Sequence, residues 1–212
     1  MSTELEEAMQ RQLGHWRSAL RSGDQRIGWK IGLNAPAVQQ QLGIERSVVG
    51  HLTSATLLRP GGTHSLTGAV KPFVEPEIAI EVDGEGAVLG LGAAIEIVDF
   101  DHPIEDAAEI VAENIFHRAV VICPSSQRTD ADGVQARLSI DGEQRETGDA
   151  GATDLAETVA IVDDTLRTAG ERLEHGERII AGSLTAPVPV QPGERVTLDL
   201  GELGTFEIDF AG

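Results

Sequence analysis

Apolar residues recur every three or four positions near the start of the chain and again in its second half. This spacing is typical of amphipathic α-helices. Four helices are predicted in all, over residues 3–22, 35–42, 103–117 and 154–170. The last of them has Asp154 as its N-cap and ends at Gly170, and the third has Pro103 in its first turn.

Most of the remaining chain consists of short apolar or alternating segments separated by Gly-rich turns, a pattern that predicts β-strands. These segments are residues 27–33, 47–52, 55–58, 73–82, 90–100, 119–123, 136–148, 177–183, 194–201 and 204–210. The segment at 136–148 is predicted to be a hairpin that turns at Asp141 and Gly142. Because helices and strands do not alternate regularly, the order favours one α+β domain over a doubly wound sheet.

The last predicted strand is edge-like and has one strongly apolar face. Phe206, Ile208 and Phe210 alternate with Glu207 and Asp209. Such a face at the end of a chain needs cover, so we expect a homo-oligomer, at least a dimer.

Charge and composition narrow the class of protein. The 212 residues include 35 Asp and Glu but only 16 Lys and Arg, for a net charge of −19. Such a surface repels phosphate backbones, so no nucleic-acid partner is expected. No apolar run reaches the roughly 18–20 residues of a membrane span, and the acidic N-terminus is unlike a signal peptide. We therefore expect a soluble cytoplasmic protein, with Cys123 as its one cysteine.

Carboxylates are the most informative side chains. In the strand over residues 73–82, Glu75, Glu77 and Glu81 share one face, and the other face is apolar. Pro76 cannot donate to a β-ladder, which places this strand at an edge or beside a bulge. A further acid, Glu96, lies inside an apolar run, where an isolated carboxylate is costly unless it is paired or bound to a metal.

Two interpretations of these acids stay open on residue types alone. Three carboxylates without a Cys or His cluster suit a hard cation such as Mg²⁺, Mn²⁺ or Ca²⁺ rather than zinc. Alternatively, Glu75 and Glu77 line a solvated face and Glu96 pairs with an arginine.

Five segments resemble the 2-keto-4-pentenoate hydratase branch of the fumarylacetoacetate hydrolase superfamily. They are IGWKIGLN, PFVEPEIAIEV, IEIVDFD, AENIFHRAVVI and IIAGSLTAPVPVQPGERVTLDLGELGTFEIDF, in order from about residue 27 to 210. The resemblance implies a mixed β-roll and a Mg²⁺ or Mn²⁺ ion held by Glu75, Glu77 and Glu96. It also implies a shortened N-terminal helix over residues 1–24 and a catalytic domain over residues 25–212.

The resemblance further implies roles around the metal. Lys30 faces the site, where it binds a substrate carboxylate or stabilises an enolate. Ser183 holds the carboxylate of a 2-oxo acid, with help from Thr185. The acid that the family carries shortly after Gly50 is absent here. His51 and His117, in segments that border the site in relatives, are candidate acid–base substitutes, although each also suits a surface or core position.

The resemblance points to a metal-dependent lyase that hydrates 2-oxo-4-enoic or 2-hydroxydienoic acids through a metal-stabilised enolate. Two alternatives stay open on the same scaffold: a decarboxylase similar to 4-oxalocrotonate decarboxylase, and a C–C bond hydrolase. A third is a non-catalytic subunit or binding protein, because related enzymes form complexes with a partner enzyme of their pathway.

Overall fold

In a computed structural model that describes residues 3–212, the chain forms four α-helices and thirteen β-strands. The helices are α1 (Thr3–Arg21), α2 (Pro36–Leu42), α3 (Ala107–Ala112) and α4 (Leu155–Thr168). The strands are β1 (Arg26–Gly32), β2 (Val48–Thr53), β3 (Leu57–Leu58), β4 (Thr63–Ser65), β5 (Pro72–Val82), β6 (Val88–Asp99), β7 (His117–Ile122), β8 (Gln135–Ile140), β9 (Glu143–Asp149), β10 (Arg178–Ile180), β11 (Val188–Pro189), β12 (Arg195–Asp199) and β13 (Thr205–Ala211). The predicted α+β class is confirmed.

The larger sheet has eight strands, with β5 and β6 at its centre. Its order is β2-β1-β10-β5-β6-β7-β3, and β11 also pairs with β5. β5 is therefore not an edge strand, contrary to one prediction from Pro76. β11 pairs with β5 at Phe73 and Val74, and β10 pairs with it from Ala79 onward. Pro76 lies in the gap between these two partners, where no ladder donor is needed.

The smaller sheet has the order β4-β13-β12-β8-β9. The hairpin of β8 and β9 turns at Asp141 and Gly142, as predicted. β13 pairs on both sides, with β12 and with β4, so the prediction of an edge-like strand is wrong. Phe206, Ile208 and Phe210 are buried within the chain itself. Their burial removes the argument that this face requires a second subunit.

Helix α1 packs in the same core as the larger sheet. Its buried residues include Met9, Leu13 and Trp16, and the Trp16 ring lies 5.1 Å from the ring of Trp29 on β1. Among residues 3–212, no helix has the length and apolar character needed to cross a membrane. The boundary after residue 24 stays a prediction.

Helix α3 is much shorter than predicted. Asp106 caps it by accepting hydrogen bonds from the backbone N–H groups of Ala108 and Glu109, so Pro103 lies before the helix rather than in its first turn. At the other end the helix stops at Ala112, because the chain then enters an unusual left-handed turn before β7.

Candidate active site

Three carboxylates meet where β5 and β6 run side by side. Glu75 lies directly opposite Glu96 in the antiparallel pair, and Glu77 is two residues further along the same face of β5. One carboxylate oxygen from each of the three lies within 4.8 Å of the other two. Glu77 and Glu96 are each only 1% exposed. Because Glu75 is half-buried, the alternation predicted for β5 produces a largely buried acidic cluster rather than a solvated face.

The loop after β10 closes one side of this cluster. Its Gly182 backbone N–H donates to Glu77 Oε2 at 2.8 Å, and the Leu184 N–H donates to the Pro76 carbonyl at 2.8 Å. Gly182 has φ +85, and a Cβ there would lie 2.6 Å from the Asn34 side chain. A side chain at this position would be strained by the positive φ and would displace the Asn34 amide, so glycine suits this loop.

Glu96 carries the compensating contacts of the cluster. The ammonium group of Lys30 donates to Glu96 Oε1 and, at 3.1 Å, to the Ile115 carbonyl. On the same oxygen, His117 Nδ1 makes a 2.7 Å hydrogen bond, and His117 Nε2 lies 2.9 Å from Thr56 Oγ1. Lys30 is 1% exposed, so a buried ion pair forms at the end of the cluster.

Burial and these contacts shift the pKa values of the three acids in different directions. Burial and the negative charge of Glu96 raise the pKa of Glu75 to about 7. Burial, Glu96 and Glu75 raise the pKa of Glu77 well above its usual range. Burial also acts to raise the pKa of Glu96, but Lys30 and His117 outweigh it and hold the value below normal. Without a cation Glu75 and Glu77 therefore tend to hold their protons, and a bound cation would stabilise their ionised forms.

A strained turn presents the carbonyl group that Lys30 contacts. Asn114, Ile115 and Phe116 all have positive φ values, of 62°, 57° and 59°. For a β-branched residue such as Ile115 this conformation is a genuine outlier. The Asn114 side chain anchors the turn to β2: it accepts from the His51 N–H at 2.8 Å and donates to the His51 carbonyl at 3.0 Å.

A cavity of about 700 Å³ opens onto the carboxylates. Its polar lining includes Lys30, Glu75, Glu77, Glu96 and Ser183, and most of the other side chains that line it are apolar. Ser183 Oγ is buried and has no hydrogen-bond partner in residues 3–212. A free hydroxyl beside three carboxylates is suited to bind a polar ligand group.

Sequence relatives of this chain are enzymes that act on small unsaturated acids. It is 29% identical over 210 residues to a 4-oxalocrotonate decarboxylase of a Pseudomonas species, covering 90% of this chain and 80% of the relative. It is 30% identical over 213 residues to the 2-hydroxyhexa-2,4-dienoate hydratase of Comamonas testosteroni, covering 89% of this chain and 80% of the relative. The 2-keto-4-pentenoate hydratase of Paraburkholderia xenovorans is 31% identical over 87% of this chain and 76% of its own length. The chain belongs to the 2-keto-4-pentenoate hydratase branch of the fumarylacetoacetate hydrolase superfamily.

Solved structures of similar proteins have the same fold as this chain. The 4-oxalocrotonate decarboxylase of Pseudomonas putida G7, complexed with magnesium and adipate, has a TM-score of 0.85 at 23% identity, covering 96% of this chain and 84% of that one. A fumarylpyruvate hydrolase of Pseudomonas aeruginosa, in complex with Mn²⁺ and pyruvate, has a TM-score of 0.65 at 16% identity, covering 88% and 89%. No family model matches the sequence.

Most of the residues predicted from the hydratase resemblance line the cavity. Glu75, Glu77, Glu96, Lys30, Ser183 and Thr185 all do so. The Thr185 hydroxyl already donates to the Ala186 carbonyl at 2.9 Å. His117 lies behind Glu96 and does not line the cavity, so it contacts the site only through that carboxylate.

His51 does not line the cavity, so the structure gives no support to its predicted acid–base role. It pairs directly with Trp29, so its side chain lies on the Trp29 face of the sheet, whereas Gly50 shares the face of Lys30. Burial, with repulsion from His117 and Lys30, lowers the pKa of His51 to about 3.

Two features of the site were not predicted. One is the turn at Asn114, Ile115 and Phe116, whose residue types are compatible with a continuing helix. The other is the role of Gly50: a Cβ there would lie 2.7 Å from Asn114 Oδ1 and 2.8 Å from Lys30 Cγ. The glycine makes room for the buried lysine. In the sequence, the Gly and apolar residues on both sides of Lys30 were the available sign that this lysine is buried.

Proposed function

We propose that the chain is a divalent-metal-dependent lyase that hydrates 2-oxo-4-enoic or 2-hydroxydienoic acids. The observation that carries this proposal is the meeting of Glu75, Glu77 and Glu96 at the polar end of an otherwise apolar cavity. Hydratases of dienoic acids among the relatives support it. The carboxylate of a small unsaturated acid suits the polar end of such a cavity, and its hydrocarbon tail suits the apolar end.

The donor set fits a hard cation. Three carboxylate oxygens within 4.8 Å of one another match the oxygen ligands that Mg²⁺ and Mn²⁺ prefer. Burial and repulsion from Glu96 raise the pKa values of Glu75 and Glu77, as expected for buried carboxyl groups without a cation. When bound, the cation supplies positive charge to the carboxylate and carbonyl oxygens of a 2-oxo acid, which stabilises the enolate.

The surrounding residues position the acid and balance its charge. The free hydroxyl of Ser183 is placed to bind the substrate carboxylate. Lys30 lines the cavity while its ammonium group pairs with Glu96, so its positive charge offsets negative charge that develops on the substrate. His117 holds the same carboxylate from behind and acts as a positioning residue.

Decarboxylation of a 2-oxo acid is the second candidate. Several 4-oxalocrotonate decarboxylases align with this chain at 29% identity, close to the value for the hydratases. Both reactions use an enolate next to a cation, so the acidic cluster alone does not distinguish them.

A panel of 2-oxo and 2-hydroxydienoic acids, assayed with Mg²⁺ and with EDTA, tests the proposal. We expect loss of dienoate absorbance that requires Mg²⁺, without release of carbon dioxide. Release of carbon dioxide would favour the decarboxylase. A folded protein inert to the whole panel would refute both and favour a binding subunit. Glu77→Gln should abolish the Mg²⁺-dependent activity. Glu81→Gln is the matched control, because Glu81 lies on the same strand face but is paired with Arg178.

We also infer a homo-oligomer in the cytoplasm, on the basis of the resemblance. β13 gives this inference no support, because its apolar face is already buried. Sedimentation at micromolar concentration in moderate salt tests it, and a monomer would contradict it.

A further inference from the structure

The two ends of the cavity differ sharply in chemistry. Beyond the acids, Lys30 and Ser183, the lining is mostly apolar; its apolar part, called the far wall, includes Pro36, Val38, Phe100, Ile104 and Phe116. The other polar side chains that line the cavity, Asn34 and Thr185, carry no charge. Within residues 3–212, Lys30 is the one Lys or Arg that lines the cavity, and its ammonium group is bonded to Glu96. The far wall therefore offers no cation to a ligand.

The aromatic part of this wall is held firmly in place. The ring of Phe100 lies 5.1 Å from those of Phe73 and Phe116. His102 packs against Phe116 at 4.6 Å without lining the cavity, and its Nε2 lies 3.3 Å from a carboxylate oxygen of Glu113. Such packing disfavours a rearrangement that would bring a charged group to the wall.

Lys71 lies in a neighbouring depression rather than in the cavity. That depression shares Phe100 and Ile104 with the cavity, so these two side chains border both hollows. The Lys71 ammonium group lies 5.7 Å from the centre of the Phe73 ring. Asp101 lines the same depression and accepts a hydrogen bond from Arg118 at 2.6 Å. A ligand in the cavity meets Phe100 and Ile104 before it can reach Lys71.

We propose that the cavity selects monocarboxylic acids with an apolar tail and rejects acids with a second carboxylate at the far end. The proposal rests on the proposed function, which places the 2-oxo acid head at the acidic cluster and so directs the tail to the apolar wall. A second carboxylate there would lose water without gaining a cationic partner. Each methylene group that meets the wall should instead tighten binding about fourfold. The solved decarboxylase described above was complexed with adipate, a dicarboxylate, so this selection would distinguish the two proteins.

A matched pair of ligands tests the selection by binding alone. The probes are 2-oxohexanoate and 2-oxohexanedioate, titrated calorimetrically into the Mg²⁺-loaded protein. We expect the monoacid to bind at least about tenfold more tightly, equivalent to about 1.4 kcal/mol. Equal or tighter binding of the diacid would overturn the selection and leave the proposed function standing. If Mg²⁺ binds but neither acid does, the proposed function fails and the selection fails with it.

A variant of Ile104 tests the physical cause. Ile104 is half-buried in the loop before α3, where its carbonyl accepts from Gln41 Nε2 at 2.7 Å, and that backbone bond survives substitution. Ile104→Arg should improve binding of the diacid about tenfold relative to Ile104→Gln, which is polar but uncharged. Equal affinities in the two variants would show that missing charge is not the cause. The comparison of ligands on the parent protein stands even if a variant fails to fold.

Discussion

Replacing Glu75 by Gln should stabilise the metal-free protein at alkaline pH. Burial and the charge of Glu96 raise the pKa of Glu75 from 4.5 to about 7. At 1.36 kcal/mol per pH unit, ionised Glu75 costs the folded state about 3 kcal/mol. Glutamine has nearly the same volume and no charge, but its amide is incompletely hydrogen-bonded, at a cost of about 1 kcal/mol. The expected net gain in unfolding free energy is therefore about 2 kcal/mol.

The gain should depend on pH in a defined direction. The folded state holds its proton up to a higher pH than the unfolded chain does, so the penalty in the parent is absent below pH 4.5, grows up to about pH 7 and is complete above it. Glu75→Gln should thus gain little at pH 4.5 and the full amount at pH 8. For a domain of this size, 2 kcal/mol corresponds to a rise in Tm of about 4–8 °C.

Added Mg²⁺ should reverse the order of stability. Binding to the folded parent adds about 2.7 kcal/mol when the free ion is at 100 times its Kd, whereas the variant lacks one ligand and gains much less. Thermal unfolding of the parent and of Glu75→Gln at pH 4.5 and pH 8, with Mg²⁺ and with EDTA, measures these differences.

Glu81→Gln is the matched control for this experiment. Glu81 shares the strand face of Glu75, but a hydrogen bond from Ser125 and its pairing with Arg178 lower its pKa. Its replacement should slightly destabilise the protein at pH 8 and leave the response to Mg²⁺ unchanged. The reasoning fails if metal-free Glu75→Gln is less stable than the parent at pH 8, or if Mg²⁺ stabilises both proteins equally.

Three further predictions follow from the same geometry. Mg²⁺ affinity should rise steeply from pH 5 to pH 8, because the ion must displace protons from Glu75 and Glu77, and a flat calorimetric profile would contradict this. Lys30→Met should lower kcat/KM about a hundredfold while Mg²⁺ affinity at pH 8 changes only a few-fold; turnover at the parent rate would make Lys30 purely structural. Asn114→Ala should lose about 2–3 kcal/mol in urea unfolding and Asn114→Gly less, since glycine accepts the positive φ; equal losses would exclude strain as the cause.

The acidic cluster could be predicted in part because strand periodicity is local. Alternation along β5 was enough to place Glu75 and Glu77 on one face, and the apolar letters around Glu96 were enough to predict its burial. Their meeting depends on the register of β5 against β6, which sets Glu75 opposite Glu96. That register comes from tertiary pairing, so residue patterns alone left the solvated interpretation open, and the family resemblance favoured the cluster.

The prediction for His51 used the position of a segment rather than the face of a strand, and the structure does not support it. β2 does border the site, but at Gly50, which lies opposite Lys30. Moving one residue along a strand reverses the face, so His51 lies with Trp29. The side chain that does reach Glu96 is His117, whose position at the start of β7 depends on where α3 ends.

The end of α3 is the step at which local pattern and tertiary structure disagree. The residue types at 113–117 suit a helix, yet the backbone has positive φ values at three consecutive positions, 114–116. The contacts that hold this conformation come from distant residues. The backbone of His51 binds the Asn114 side-chain amide, and the Lys30 ammonium group donates to the Ile115 carbonyl. The next residue, Phe116, lines the apolar end of the cavity. One strained turn therefore connects the charged end of the site to the wall that meets the substrate tail, so a change in this turn should alter both ends together.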